Sequence, residues 1–232
     1  MNKTYVMSDL HGNYESYRKM LLVIDFDDSD TLYILGDVCD RGPDSASIYL
    51  DVMERKNVLM IKGNHEKMAL EALEAAAVPG GNCSDWFAML LWEENGGHAT
   101  ADSLMNLSEE QRRKVLCYIK DLPWYRTLTL GDTEYIMVHA GLEEYDRDRE
   151  ISDYTPEELV WYSPEANAEF WPDENRILLV GHTPTFAITG NTPPNVYRGG
   201  GNVIFLDCGA AYPQAGGRLG CLCLETGEAY YV

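Results

Sequence analysis

Basic residues are scarce in this 232-residue chain: 18 Lys and Arg against 38 Asp and Glu leave a formal charge of -20. So acidic a surface repels phosphodiester backbones and anionic headgroups, so neither nucleic acid nor a membrane is an expected partner. Long apolar runs are missing as well: no uninterrupted stretch reaches the roughly 20 residues of a spanning helix. A strand-like run begins almost at once with no apolar leader before it, and the expected compartment is the cytoplasm. The six cysteines, Cys39, Cys83, Cys117, Cys208, Cys221 and Cys223, form no CxxC pair. Their spacing fits neither a zinc ribbon nor a dense disulfide framework, so buried reduced thiols are expected, Cys221 and Cys223 on one face of a strand. Histidine is rare, at five residues, and that rarity makes the position of each one informative.

What is present is a folding chain, 45% hydrophobic and 24% charged, long enough for a sizeable core. The whole span 1–232 reads as a single domain. "TYVMS" (Thr4 to Ser8), "LYIL" (Leu32 to Leu35) and "VLMI" (Val58 to Ile61) are predicted strands, each followed by a helical pattern. This β-α-β-α-β-α order calls for parallel strands covered by helices. "PGG" (Pro79 to Gly81) breaks the chain, and 79–122 reads as a helical insert able to roof a site, with Ser108 and Gln111 as a capping box. The aromatic face around Trp86 and Trp92 within it reads as core. Strands return at "YIMVHA" (Tyr135 to Ala140), "ILLVG" (Ile177 to Gly181), "VIFL" (Val203 to Leu206), "LGCLCL" (Leu219 to Leu224) and "AYYV" (Ala229 to Val232). Strand-rich halves at both ends point to two packed sheets with helices outside.

Five short polar motifs each follow one of these strands: "SDLHG" (Ser8 to Gly12), "GDVCDRG" (Gly36 to Gly42), "GNHE" (Gly63 to Glu66), "VHAG" (Val138 to Gly141) and "GHTPT" (Gly181 to Thr185). Ligand sites in α/β folds collect at the carboxyl ends of strands. Four of the five histidines, His11, His65, His139 and His182, lie in these motifs; His98, in the insert, reads as a structural loop residue. Asp9 and His11 alternate in what reads as extended chain and can face one way. With Asp37, Asn64, His139 and His182 they offer carboxylate, amide oxygen and imidazole, a mixture that suits hard or borderline divalent cations. Six such groups are more than one ion takes from protein, and imply two ions sharing a bridging carboxylate.

In this order the motifs resemble those of the calcineurin-like metallophosphoesterases, and within them the bacterial and phage phosphoprotein (Ser/Thr) phosphatases, from Asp9 to about Thr185. The resemblance implies an α/β (α+β) fold: two packed mixed β-sheets flanked by helices, a four-layer αββα sandwich. It also implies roles. Asp9 and His11 hold one metal, Asp37 bridges both, and Asn64, His139 and His182 hold the second. Arg41, with Asn64, binds phosphate, and His65 is the catalytic acid, oriented by Asp40. A metal-bridging hydroxide then attacks phosphorus directly. Manganese suits the mixed ligands, with iron or zinc as alternatives.

The family places a second phosphate-gripping arginine two residues after a tryptophan, downstream of the "VHAG"-type histidine. Here "ELVWYSPE" (Glu158 to Glu165) puts Ser163 there, leaving Arg147, Arg149 or Arg176 to enter from elsewhere. Tyr212 reads as a packed side chain. The expected activity is hydrolysis of phosphomonoesters, foremost phosphoserine or phosphothreonine in proteins, with small phosphoesters as further substrates. Its rivals are a symmetrical dinucleoside polyphosphate hydrolase and a non-catalytic binding protein on the same fold. The second is disfavoured because all six ligands and both catalytic groups are present.

Overall fold

The computed structural model describes residues 2–172 and 175–232. Its strands, in chain order, are β1 (Thr4–Met7), β2 (Thr31–Ile34), β3 (Val58–Met60), β4 (Tyr125–Leu130), β5 (Thr133–Val138), β6 (Arg176–Val180), β7 (Tyr197–Arg198), β8 (Val203–Phe205), β9 (Gly220–Cys223) and β10 (Ala229–Tyr231). They form two five-stranded sheets, ordered β10-β9-β1-β2-β3 and β4-β5-β6-β8-β7. In the first, β1, β2 and β3 are parallel and β9 and β10 antiparallel. In the second, β5, β6 and β8 are parallel and the edge strands β4 and β7 antiparallel.

Alternation along each strand builds the layers, because successive side chains point to opposite faces. Val6, Leu179, Ile204 and Leu222 fill the space between the sheets. Their neighbours Tyr5, Met7, Cys221 and Cys223 face the helices outside the first sheet. Leu178, Val180, Val203 and Phe205 face outward from the second, under Phe170 and Trp171. The two mixed sheets flanked by helices are the predicted architecture.

Six helices cover the first sheet: α1 (Tyr14–Val23), α2 (Ser45–Glu54), α3 (Asn64–Ala76), α4 (Cys83–Glu94), α5 (Gly97–Met105) and α6 (Glu109–Asp121). The last three occupy the span 79–122 read as a helical insert, and α6 opens with the predicted capping box, the Ser108 side chain accepting from the Gln111 N–H. The short helices α7 (Pro156–Val160) and α8 (Thr185–Thr189) lie with the second sheet.

Four expectations change. β4 and β7 were not legible as strands; both are partly exposed edges whose side chains alternate weakly. Trp92 is buried, but Trp86 and Phe87 are 64% and 61% exposed, so the aromatic face of α4 is only partly core. All six cysteines are free, yet Cys83 and Cys117 are exposed, because they sit on insert helices rather than strands. His98 lies in the first turn of α5 rather than a loop, exposed beside Glu93.

Candidate active site

The five motifs converge where the parallel strands end. Asp9 and His11 follow β1, and Asp37, Asp40 and Arg41 follow β2. Asn64 and His65 open α3 after β3, and His139 and His182 follow β5 and β6. The turns are laced by backbone hydrogen bonds: His11 N–H to Asp37 O at 2.9 Å, Gly12 N–H to Val38 O at 2.7 Å and Gly181 N–H to His139 O at 2.7 Å.

The backbone is not extended here, contrary to the sequence reading of Asp9 and His11. Their φ angles are 57° and 44°, and Asp37, Asp40, Arg41 and His182 also have positive φ, between 53° and 69°. Each such non-glycine residue costs about 1 kcal/mol or more. Asp and His tolerate this region better than most side chains, and the strain is concentrated where side chains must converge. Close approach explains two glycines: a Cβ at Gly63 would collide with the Asp37 carboxylate, and one at Gly181 with the Asp9 carboxylate.

Asp37 is the shared member of two clusters, His11–Asp37–His65 and Asp37–His139–His182, each with its ligand-type atoms within 4.8 Å of one another. Its Oδ2 lies 3.3 Å from His139 Nε2 and 3.8 Å from His11 Nε2. Asn64 Oδ1 lies 2.8 Å from His139 Nε2 and 3.0 Å from His182 Nδ1. Asp9 Oδ2 accepts from the Ser8 hydroxyl and the His182 N–H, while its Oδ1 is buried with no hydrogen-bond partner among the described residues. An orphaned carboxylate oxygen beside imidazole nitrogens fits a divalent cation, and the set of carboxylate, amide and imidazole donors suits a hard or borderline one. The six predicted ligands are thus brought together.

Two imidazoles have their Nδ1 atoms anchored on backbone carbonyls. The Nδ1 atoms of His11 and His139 sit 2.9 and 2.7 Å from the carbonyls of Cys39 and Leu35, which holds the proton there and leaves each Nε2 facing the cluster. Burial keeps His11 neutral, its pKa well below the ordinary value, and burial beside His139 brings His182 down to about 4. His139 goes the other way. Burial opposes its charge, but the Asp37 and Asp9 carboxylates and the Leu35 carbonyl outweigh it and raise the pKa to about 10.

His65 differs from His11 in what holds it. Its Nδ1 lies 2.7 Å from the Asp40 carboxylate, not a carbonyl. Burial works against its charge, Asp37 and Asp40 outweigh burial, and the pKa is raised. Asp40 is wholly buried and also accepts from the Trp92 indole N–H and the Thr100 hydroxyl. The exposed Arg41 lies between the histidines, Nη1 2.9 Å from His11 Nε2 and Nη2 3.2 Å from His65 Nε2, with its guanidinium 5.3 Å from the Tyr212 ring centre. Tyr212, predicted as packing, flanks the guanidinium.

Ser163 hydrogen-bonds Thr183, beside His182, and Trp161 lies 6.2 Å from the His182 ring. The segment read from the sequence thus lies beside His182, and Ser163 brings a hydroxyl there. Arg147, Arg149 and Arg176 do not replace the missing guanidinium, because all three line a separate cavity of about 270 Å³ with Tyr125 and Trp171.

Sequence reasoning gave no role to Glu66, Trp92, Thr100 or Asp207. The fully buried Glu66 carboxylate accepts from the N–H groups of Asp37, Val38 and Gly63 and from the Tyr49 hydroxyl, all at 2.8–2.9 Å. Its signal was its place in "GNHE". Asp207, buried after β8, accepts from the Gly209 N–H, and burial together with Asp9 pushes its pKa well up.

The calcineurin-like phosphoesterase family model matches residues 3–209. The chain is 32% identical over 142 residues to the symmetrical bis(5'-nucleosyl)-tetraphosphatase of Nitrosospira multiformis, covering 60% of this chain and 43% of that protein. It is 32% identical over 161 residues to serine/threonine-protein phosphatase 2 of Escherichia coli K12, covering 68% of this chain and 66% of that protein. The matches thus span between two fifths and two thirds of these relatives. In fold, it resembles a protein serine/threonine phosphatase from Saccharomyces cerevisiae, with a TM-score of 0.66 and 16% identity over 100% of this chain and 80% of the other. With five motifs converging on one buried cluster and a family match over residues 3–209, this chain belongs to the calcineurin-like phosphoesterases.

Proposed function

We propose that this protein is a phosphoester hydrolase using two divalent metal ions, and that its substrates are phosphomonoesters, foremost phosphoserine and phosphothreonine in proteins. The observation that carries the reading is Asp37 Oδ2, shared between two clusters of ligand-type atoms. Asp9, His11 and Asp37 would hold one ion; Asp37, Asn64, His139 and His182 the other. Manganese suits these donors best, ahead of iron or zinc. When bound, such a pair neutralises phosphate charge and lowers the pKa of a coordinated water toward 7.

The chain's own residues do the rest. Arg41, exposed at the rim and flanked by Tyr212, presents a fork that matches phosphate oxygens. Asn64, held between His139 and His182, would help orient the same group. As the imidazolium, His65 would give its Nε2 proton to the leaving alkoxide, while Asp40 accepts the Nδ1–H and supports that charge.

A symmetrical dinucleoside polyphosphate hydrolase is the second reading, favoured by the relative of that name. Two features favour the monoester. Ser163 brings a hydroxyl rather than a guanidinium, and among the described residues Arg41 is the basic side chain that lines the adjoining cavity. The open cavity of about 360 Å³ beside it is bordered by Glu15 and Asp44, carboxylates that would repel a polyphosphate leaving group. Turnover of a phosphothreonine peptide and of diadenosine tetraphosphate, measured side by side with Mn²⁺, tests this. Preference for the peptide is expected; tetraphosphate cleavage without peptide turnover overturns the protein-phosphatase reading. In the same assay His65→Asn should keep its metal and lose about 10²–10⁴-fold on the peptide, the usual range for a positioned acid.

A further inference from the structure

The insert touches the site through one residue above all. Asp40 is completely buried, and among the described residues its carboxylate meets His65, Trp92 and Thr100 rather than a lysine or arginine. Its stabilisation comes from the insert. Trp92, in α4, points its indole N–H at both carboxylate oxygens, 3.0 Å from Oδ1 and 3.1 Å from Oδ2. Thr100, in α5, donates its hydroxyl to Oδ1 at 2.7 Å and accepts the Asp40 backbone N–H at 2.7 Å. Oδ2 is thereby left aimed at His65 Nδ1.

The turn between α4 and α5 completes the contact. The Gly96 carbonyl accepts the Arg41 N–H at 3.2 Å, and a Cβ at Gly96, where φ is +91°, would press within 3.0 Å of that same nitrogen. A Cβ at Gly97 would lie 2.5 Å from the Trp92 ring. "NGG" is therefore not a generic turn: one glycine admits Arg41 and the other admits the indole. Ser103 adds a hydroxyl to the Ala46 N–H at 3.0 Å.

We infer that Trp92 and Thr100 are positioning residues for proton donation, and that the insert backs the Asp40–His65 pair from behind. A hydrogen bond to a buried carboxylate fixes its rotamer as well as its charge. Without these two donors Asp40 is free to turn, and His65 loses the partner that aims its Nε2. The inference rests on the reading of His65 as the acid.

The test uses Trp92→Phe and Thr100→Val, with Thr100→Ser as the conservative control, in the full chain with Mn²⁺. Phenyl phosphate has a leaving group that needs a proton and 2,4-dinitrophenyl phosphate one that does not. Each of the first two variants is expected to lose about 10-fold or more in kcat on phenyl phosphate. On the dinitrophenyl ester and in KM they should stay within about 2-fold, and Thr100→Ser should restore turnover. Equal losses on both esters, or none, overturn the inference, because a purely structural role does not distinguish leaving groups. The proton NMR signal of the His65 Nδ1–H, identified by its disappearance in His65→Asn and recorded on metal-free protein, gives a second readout. It is expected to shift in Trp92→Phe and Thr100→Val; an unmoved signal overturns positioning. Wild-type protein inert towards both esters would instead refute the proposed function, and the proton signal would still decide whether the two residues hold the pair.

Discussion

Histidines of one type stand in three protonation environments within this cluster. His11 and His182 are neutral before any metal arrives, and His139 holds its proton up to about pH 10. A folded-state pKa above the ordinary 6.5 stabilises the metal-free protein fully below about pH 6.5, and that contribution fades as pH rises towards 10. Metal-free protein should therefore lose part of its stability across this window, and Mn²⁺ should restore it while displacing a proton from His139. Calorimetry of Mn²⁺ binding at pH 8, in buffers of different ionisation enthalpy, is expected to find about one proton released; no release would mean that His139 is already neutral, or is not a ligand.

Elements place these residues through their ends, and Glu66 is the clamp between two of them. Rooted in α3, it collects the N–H groups of Asp37 and Val38 after β2 and of Gly63 after β3. Glu66→Ala leaves several buried donors without partners, at about 1–3 kcal/mol each. Denaturant unfolding of the metal-free variant should show a loss of about 3 kcal/mol or more, and Mn²⁺ affinity should fall; a loss under about 1 kcal/mol would show that the turns hold themselves. This scale also marks what the sequence could disclose. Strand-then-polar-motif order exposed β1, β2, β3, β5 and β6 because buried parallel strands read as continuous apolar runs. Edge strands β4 and β7 escaped because half their surface is wet. Within the site, the ligand-type residues were legible from residue type and place. The left-handed backbone at Asp9 and His11 was not, since nothing in "SDLHG" distinguishes a pleat from a tight turn until the "GDVCDRG" turn packs against it. Trp92 and Thr100 were invisible for a related reason: they lie 52 and 60 residues from the Asp40 they hold.

At the scale of the whole molecule the formal charge of -20 opposes an anionic substrate, while the site attracts it locally through Arg41 and, in the proposed function, two metal ions. Added salt screens the long-range repulsion more than contacts inside the cleft. Raising NaCl from 20 to 200 mM should therefore increase kcat/KM for a phosphomonoester, by about 2-fold or more; a decrease would mean that the local positive field already dominates approach. Among the described residues no helix is long and apolar enough to cross a membrane. The central claim is that one carboxylate, Asp37, joins two metal positions into a single hydrolytic centre. The most direct measurement is phosphate release from a phosphothreonine peptide by Mn²⁺-loaded wild-type and Asp37→Asn protein, with bound metal counted in both. The expected result is steady turnover by wild type with two Mn²⁺ bound, and at least about 10³-fold slower release with depleted metal in the variant. Turnover by Asp37→Asn at the wild-type rate, or none by metal-loaded wild type, would contradict it.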